Sequence, residues 1–293
     1  MRSIPFGGRI IITWLNTVGS YFRFVSTRKE DTSAGILPDW KLLIAISLSI
    51  LVTIVLAYQI VDPILISSMK QGALPGAWWM GWITHAGKSD WILVSTGSVL
   101  LFMSVYKFPN LSASHFIHWH HIFLKFYFAF TAVAFSGLLA IALKNLIGRA
   151  RPVLFENGDF WIASPFTDSY LYASFPSGHS TTMGAMIAVL FLVAPRLFWI
   201  FSPLALMVAV SRFIIGVHFP SDVVAGLALG IVFTWIYARV FARKRLLFEF
   251  GAEGELKMRN SAVDRARRRL RKKSHSLADL GFGLSRRAAK TRS

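Results

Sequence analysis

The chain has 293 residues, 54% of them hydrophobic and only 16% charged, and a net charge of +18. A soluble domain of this size carries roughly 25% charged residues, so most of this chain is built to meet something other than water. It has no cysteine, which excludes a disulfide framework and a thiolate metal site.

The first forty residues lack a short apolar core followed by a small-residue cleavage site, so no cleavable signal peptide is expected. Residues 4–26 are apolar but interrupted by Arg9, Asn16 and Arg23. That pattern predicts a helix lying in the membrane interface. Leu42–Val61 is then a run of twenty residues without a charge, long enough to cross hydrocarbon as a helix. Five more apolar runs follow at about 91–106, 126–143, 180–195, 197–215 and 223–238, bounded by residues such as Lys125, Lys144, Arg196, Arg212 and Arg239. The reading is an all-α, polytopic membrane bundle of about six transmembrane helices with an N-terminal interfacial helix. It divides into an N-terminal segment 1–40, a membrane domain 41–241 and a basic tail 242–293.

Charge sets the orientation. Residues 243–293 hold 16 Lys or Arg against 5 Asp or Glu, a net +11, and the N-terminal segment adds Arg2, Arg9, Arg23, Arg28 and Lys29. Basic segments flanking spans stay in the cytoplasm, and six spans return both ends to one side. Both termini are therefore expected in the cytoplasm, as in a bacterial inner-membrane protein.

Three clusters place charge at the ends of apolar runs: KNLIGRARP over Lys144–Pro152, FPSGH over Phe175–His179, and SRFIIGVHFPSD over Ser211–Asp222. Ionisable groups at membrane depth are costly and mark functional sites. With six spans, all three fall on the face opposite the basic tail, although nothing in their selection required it. Lys144 and Arg151 are seven apart, two turns if the helix continues, although Gly148 and Pro152 leave the end of that helix open. Ser177 suits an N-cap whose free N–H groups favour an anion. Pro220 suits the first turn of the last span, and Gly216 marks a break between Arg212 and His218.

These parts suit phosphoryl transfer. Lys144, Arg151 and Arg212 would neutralise a phosphate, with Ser177 and Gly178 at the helix start beside it. His218 would attack phosphorus, Asp222 would hold its ring, and His179 would protonate the leaving oxygen. The same residues fill the pattern KxxxxxxRP, PSGH and SRxxxxxHxxxD. The chain resembles, over about residues 91–240, the type 2 phosphatidic acid phosphatase superfamily, with every fixed position present, including Pro152, Pro176 and Ser211. That resemblance implies a helical bundle, a covalent phosphohistidine, no metal and no cofactor.

The remaining motifs receive plainer readings. His115, His118, His120 and His121 read as an interfacial cytoplasmic loop rather than a metal site. The run 265–273 reads as a partner for anionic inner-leaflet lipid, with no nucleic acid expected. The aromatic segment Val153–Ala173 reads as a cap over the site that meets the lipid head group. The activity predicted is hydrolysis of a lipid phosphomonoester or diphosphate at the outer face. Undecaprenyl diphosphate, a lipid A phosphate and phosphatidylglycerol phosphate are the candidate substrates. A phosphotransferase using the same intermediate and an inactive membrane scaffold are the alternatives; the oligomeric state is left open.

Overall fold

The computed structural model describes residues 27, 30–32, 35–64, 77–106, 113–154 and 162–259. The interfacial helix expected over 4–26, the basic run 265–273 and residues 155–161 of the aromatic segment lie outside the described residues.

Six apolar helices carry the fold: α1 (Trp40–Leu56), α2 (Ser89–Val105), α3 (Ala113–Ile147), α4 (Gly178–Val193), α5 (Pro195–Ile214) and α6 (Pro220–Arg243). They coincide with the six apolar runs. The span that includes α1 runs on through a π-helical turn, Ala57–Val61, to Ile64. Among the described residues four helices are long and apolar enough to cross a membrane, and α2 and α4, with 17 and 16 residues, are shorter. The chain is a multi-pass membrane protein.

Contacts at the helix ends show that the helices alternate in direction. At one end, Asp62 and Thr84 meet Ser221 and Arg212, and α3 delivers Lys144. At the other, Arg239 in the last turns of α6 donates to the Ile36 carbonyl just before α1, and Phe102 of α2 packs on Trp119 of α3. Gly35 and Arg259, far apart in sequence, both lie at this second end, where Arg239 and His121 bind their carbonyls.

The centre is packed by Ile92, Val133, Met183, Ala205, Val208 and Val223. α4 and α6 approach closely because small residues line their contact. A Cβ on Gly226 would sit 2.4 Å from the Ser177 carbonyl, and one on Gly230 would sit 2.2 Å from that of Thr181. Small residues are the usual route to tight helix contact in a membrane, where apolar burial gives no drive of its own. This contact fixes the start of α4 against the start of α6.

Two features differ from the sequence reading. The His115–His121 tract is not a loop: it forms the first turns of α3, whose 35 residues span about 52 Å at 1.5 Å per residue, well beyond a hydrocarbon core of ~30 Å. Ile, Phe and Trp interleaved with His continue the helix, and His121 Nε2 hydrogen-bonds the Arg259 carbonyl at 2.9 Å. In addition, the segment after α6 forms a hairpin, β1 (Phe248–Phe250) with β2 (Leu256–Met258). Leu246, Leu247 and Phe248 are buried against Leu124, Phe128, Phe241 and Ala242, so the bundle extends to Arg259 before the rest of the basic segment begins.

Candidate active site

The three charged clusters meet at one end of the bundle. α3 ends at Ile147, where Gly148 takes φ +62° and turns the chain back. A Cβ there would lie 2.2 Å from the Ser164 carbonyl, so only glycine fits this reversal. The helix therefore stops short of Arg151, at the glycine that left its end open in the sequence. Lys144 and Arg151 converge all the same: Lys144 Nζ donates to the Ala173 carbonyl at 2.8 Å and Arg151 Nη2 to the same oxygen at 3.3 Å. Arg151 also donates to the carbonyls of Tyr170 and Val217, at 2.9 and 3.0 Å, and lies 3.7 Å over the Tyr170 ring.

Ser177 is the N-cap of α4, as its sequence position suggests, with its hydroxyl accepting from Ser180 N at 3.4 Å and Ser180 Oγ at 2.9 Å. Gly178 faces the Lys144 stem, where a Cβ would sit 3.7 Å from it. His179, the second residue of α4, packs against Gly87, with Arg212, His218, Lys144 and Lys88 as its charged or titratable neighbours. The first N–H groups of a helix have no partner within it, so this turn presents donors beside the cations.

α5 ends at Ile214, and Gly216, at φ +74°, makes the expected break. Arg212 is buried, and one nitrogen donates to the Thr84 hydroxyl. Its Nε is buried with no hydrogen-bond partner among the described residues. A guanidinium left with open donors is a standing site for an anion. Ser211, by contrast, is bonded back to the Val208 carbonyl of its own helix at 2.7 Å.

His218 is buried just before α6, and Pro220 opens that helix. Its Nδ1 lies 3.6 Å from Asp222 Oδ2, an ion-pair separation longer than a hydrogen bond. Asp222 Oδ2 accepts from the Phe219 N–H at 2.9 Å and from the Ser174 hydroxyl at 2.5 Å. Burial pushes the His218 imidazole down from 6.5 to about 4, with Asp222 pulling only partly the other way. The ring is therefore neutral at pH 7, with its Nδ1 edge toward Asp222 and the Ser174 hydroxyl, which lies 3.5 Å away.

Sequence reasoning misses several members. Arg149 and Asp62 are both fully buried: Arg149 bonds Asp222 Oδ1 at 2.7 Å, Ser221 Oγ at 2.7 Å and Asp62 Oδ2 at 3.0 Å. A signal for them exists, since Asp62 directly follows an uncharged run and Arg149 sits inside the first cluster. Thr84 and Ser174 carry no such signal. Of the expected cap, residues 162–173 fold onto the Gly148–Arg151 turn, through bonds such as Ala150 N to the Ile162 carbonyl and Arg151 N to the Leu171 carbonyl, both 2.8 Å. Phe166 and Tyr170 remain exposed there. Among the described residues no group of His, Cys, Asp and Glu has the arrangement to hold a metal ion.

Comparison with known proteins agrees with this geometry. The PAP2 superfamily model matches residues 125–246, which include every signature residue. A lipid A 1-phosphatase of Rhizobium johnstonii is 41% identical over 179 residues, covering 59% of this chain and 70% of that protein. The chain belongs to the PAP2 superfamily. It is accordingly a phosphoric ester hydrolase of the lipid-phosphate phosphatase type. An undecaprenyl-diphosphatase of Sulfolobus acidocaldarius is 35% identical over 106 residues, 34% of this chain and 48% of that one. A crystal structure of a transmembrane PAP2-type phosphatidylglycerolphosphate phosphatase from Bacillus subtilis aligns with a TM-score of 0.42 and 22% identity, over 66% of this chain and 93% of that one.

Proposed function

We propose that this PAP2 protein removes phosphate from a membrane lipid through a phosphohistidine at His218, with the site at the outer face of a bacterial inner membrane and both termini in the cytoplasm. The observation that carries the reading is the convergence of Lys144, Arg151 and Arg212 on one helix end beside two histidines. Arg212 holds its buried Nε open for an anion.

In this mechanism the phosphate lies between the three cations and the first N–H groups of α4. The neutral His218 Nε2 attacks phosphorus as the bond to the lipid oxygen breaks, and His179, which takes up a proton when the phosphate dianion lies beside it, passes that proton to the oxygen. Water then attacks phosphorus and gives its proton to His179. The P–N bond breaks and inorganic phosphate leaves. Asp222 holds the His218 ring and balances the charge it gains when phosphorylated. The cations and helix dipole act on charge that develops on the transferring group, where preorganised donors contribute most. No step calls for a metal, so phosphate release should persist in EDTA.

Lipid A carrying a 1-phosphate is the first substrate to test, on the strength of the Rhizobium relative, and undecaprenyl diphosphate is the second. The exposed Phe166 and Tyr170 suit a head group at the boundary. The basic residues beyond Arg259 would rest against anionic lipid of the inner leaflet. The test is free phosphate release by the purified chain from lipid A, undecaprenyl diphosphate and phosphatidylglycerol phosphate, with and without an acceptor lipid. Release from one lipid without acceptor is expected. Turnover only with acceptor would make the protein a phosphotransferase. A cysteine placed in 153–173 should react with an impermeant thiol reagent added outside; labelling only from the inner face would overturn the orientation.

A further inference from the structure

A line of buried charge runs from the nucleophile position to the first helix. His218 faces Asp222 Oδ2; Asp222 Oδ1 meets Arg149 Nη1 at 2.7 Å; Arg149 Nη2 meets Asp62 Oδ2 at 3.0 Å. Ser221 closes the group, donating to Asp62 through its N–H at 3.0 Å and through its hydroxyl at 2.6 Å, while accepting from Arg149. The guanidinium lies 4.1 Å over the Phe219 ring, between the chain neighbours of the catalytic turn. Asp62 lies outside the 125–246 segment that the family model matches.

A purely structural purpose explains this poorly. Residues Trp40–Leu56 of α1 bury no side chain, so anchoring this span with a few apolar contacts was open to the fold. Burying two carboxylates and a guanidinium instead is costly, and such groups rarely stabilise more than an apolar replacement. They do control charge and orientation. Arg149 alone would neutralise Asp222 and leave it a weak partner for the imidazole. Asp62 shares the guanidinium and returns anionic character to the oxygen that faces His218.

We infer that Asp62, acting through Arg149 and Ser221, is a positioning residue that sets the orientation and charge of Asp222 and so the basicity of His218. This rests on the reading of His218 as nucleophile. The other charged or titratable groups around His218 and Asp222 are Lys144, Arg151, His179 and Arg212, with Tyr170 and Lys88 behind them. None of these lies on the first span, which reaches the site through Asp62 and through the Tyr58 ring, 5.5 Å from the Arg149 guanidinium.

The experiment uses the full chain in detergent, with Asp62→Asn, Arg149→Gln and the double variant. The His218 ring is titrated by NMR, its signal assigned by its loss in His218→Gln, and phosphate release from lipid A is followed against pH. Asp62→Asn leaves the whole guanidinium on Asp222, so the His218 midpoint should fall. Arg149→Gln frees Asp222, so the midpoint should rise, on the order of one pH unit for removal of an adjacent charge. The double variant should titrate like Arg149→Gln, because Asp62 acts through Arg149. Turnover by Asp62→Asn should drop roughly tenfold, as when a partner that orients a catalytic group is lost. Opposite shifts support the inference, since simple loosening of the fold would not move the two variants apart. If Arg149→Gln does not accumulate as folded protein, the sign of the Asp62→Asn shift decides alone. A wild-type midpoint and rate in Asp62→Asn, or shifts of the same sign in both single variants, would overturn it. Failure of the phosphatase reading would show separately, as absence of phosphate release by the wild type from every lipid offered.

Discussion

At the Lys144–Asp222 end of the bundle, four cations (Lys144, Arg149, Arg151 and Arg212) gather around two buried carboxylates, Asp62 and Asp222. At the opposite end, Arg243 and Lys244 face Glu30, Arg245 faces Asp31, and Lys257 faces Glu255, each pair partly in solvent. The first set is buried, Lys144 only in part, and carries two positive charges more than it can pair. The second is exposed and matched nearly one for one. Water makes the second arrangement cheap, whereas a buried surplus is costly unless an anion completes it. On the proposed reading a phosphate dianion supplies that balance, so the two ends should respond very differently to the loss of a charged residue.

The largest expected effect is at His218. On the proposed reading, with His218 as the nucleophile, His218→Ala should lower phosphate release by on the order of 10⁴-fold or more while leaving the protein inserted. Unchanged release by that variant would remove the phosphohistidine mechanism. The same residue sets the pH response. With the imidazole pushed down to about 4, His218 is neutral above that value and protonated below it. Activity should therefore fall as pH drops through about 4, and an acid limb near 6.5 would mean that the ring is not buried during turnover.

Arg212 comes next. Its buried Nε lacks a partner among the described residues and its other contact is Thr84, so Arg212→Ala should cost roughly 10²–10³-fold in kcat/KM, as for loss of one preorganised donor to developing charge. Thr84→Val keeps the guanidinium but frees its orientation, and should cost roughly tenfold, the scale of one hydrogen bond to a charged group. Equal losses in the two variants would mean that Thr84 does more than orient Arg212.

At the other end the effect should appear in stability and leave chemistry alone. Arg239 is buried, donates to the carbonyls of Ile36 and Gly35 at 2.8 Å each, and lies near the Trp235 and Phe250 rings. Removing it strands carbonyls and opens packing, so Arg239→Ala should destabilise the protein by about 2–3 kcal/mol, read as a lower melting temperature in detergent. Its kcat/KM per folded molecule should match the wild type. A selective fall in kcat would break the division between the two ends.

Much of this contrast is legible in the amino-acid sequence. The six apolar runs become six helices because their length and composition leave a membrane chain no other way to satisfy its backbone. Lys144, Arg151, His179, Arg212, His218 and Asp222 stand out because each lies at the edge of an apolar run. Gly216 announces its own break. What stays hidden depends on distance along the chain. Asp62 and Arg149 are 87 residues apart, and only the packing of α1 against the start of α6 makes them a pair. Thr84 is 128 residues from Arg212, and a lone threonine gives no sign of a partner. The hairpin after α6 reads as tail in sequence because its basic residues outweigh a short apolar stretch, Leu246–Phe248, that packs on helices from elsewhere.

The smallest effect should be at Glu30. Its carboxylate pairs with Lys244 Nζ at 2.8 Å and lies 3.1 Å from Arg243 Nε, and all three side chains are partly exposed. Lys244, and behind it Arg243, hold the Glu30 carboxyl below its ordinary 4.5. The sign of the linkage follows. A carboxylate with a depressed folded pKa adds stability above the ordinary value, and loses it as pH falls through the folded one. Any contribution should therefore be present at pH 7 and gone in strong acid. Exposed pairs are screened by salt and resist only the local opening of two flexible side chains. Glu30→Gln should leave turnover unchanged and shift melting so little that high salt removes the difference. The same number of charges is deleted here as in Asp62→Asn, and the two differ chiefly in access to water. Comparable losses of activity in Glu30→Gln and Asp62→Asn would mean that burial does not separate the two ends, and that the whole cation-rich chain acts on the substrate as one field.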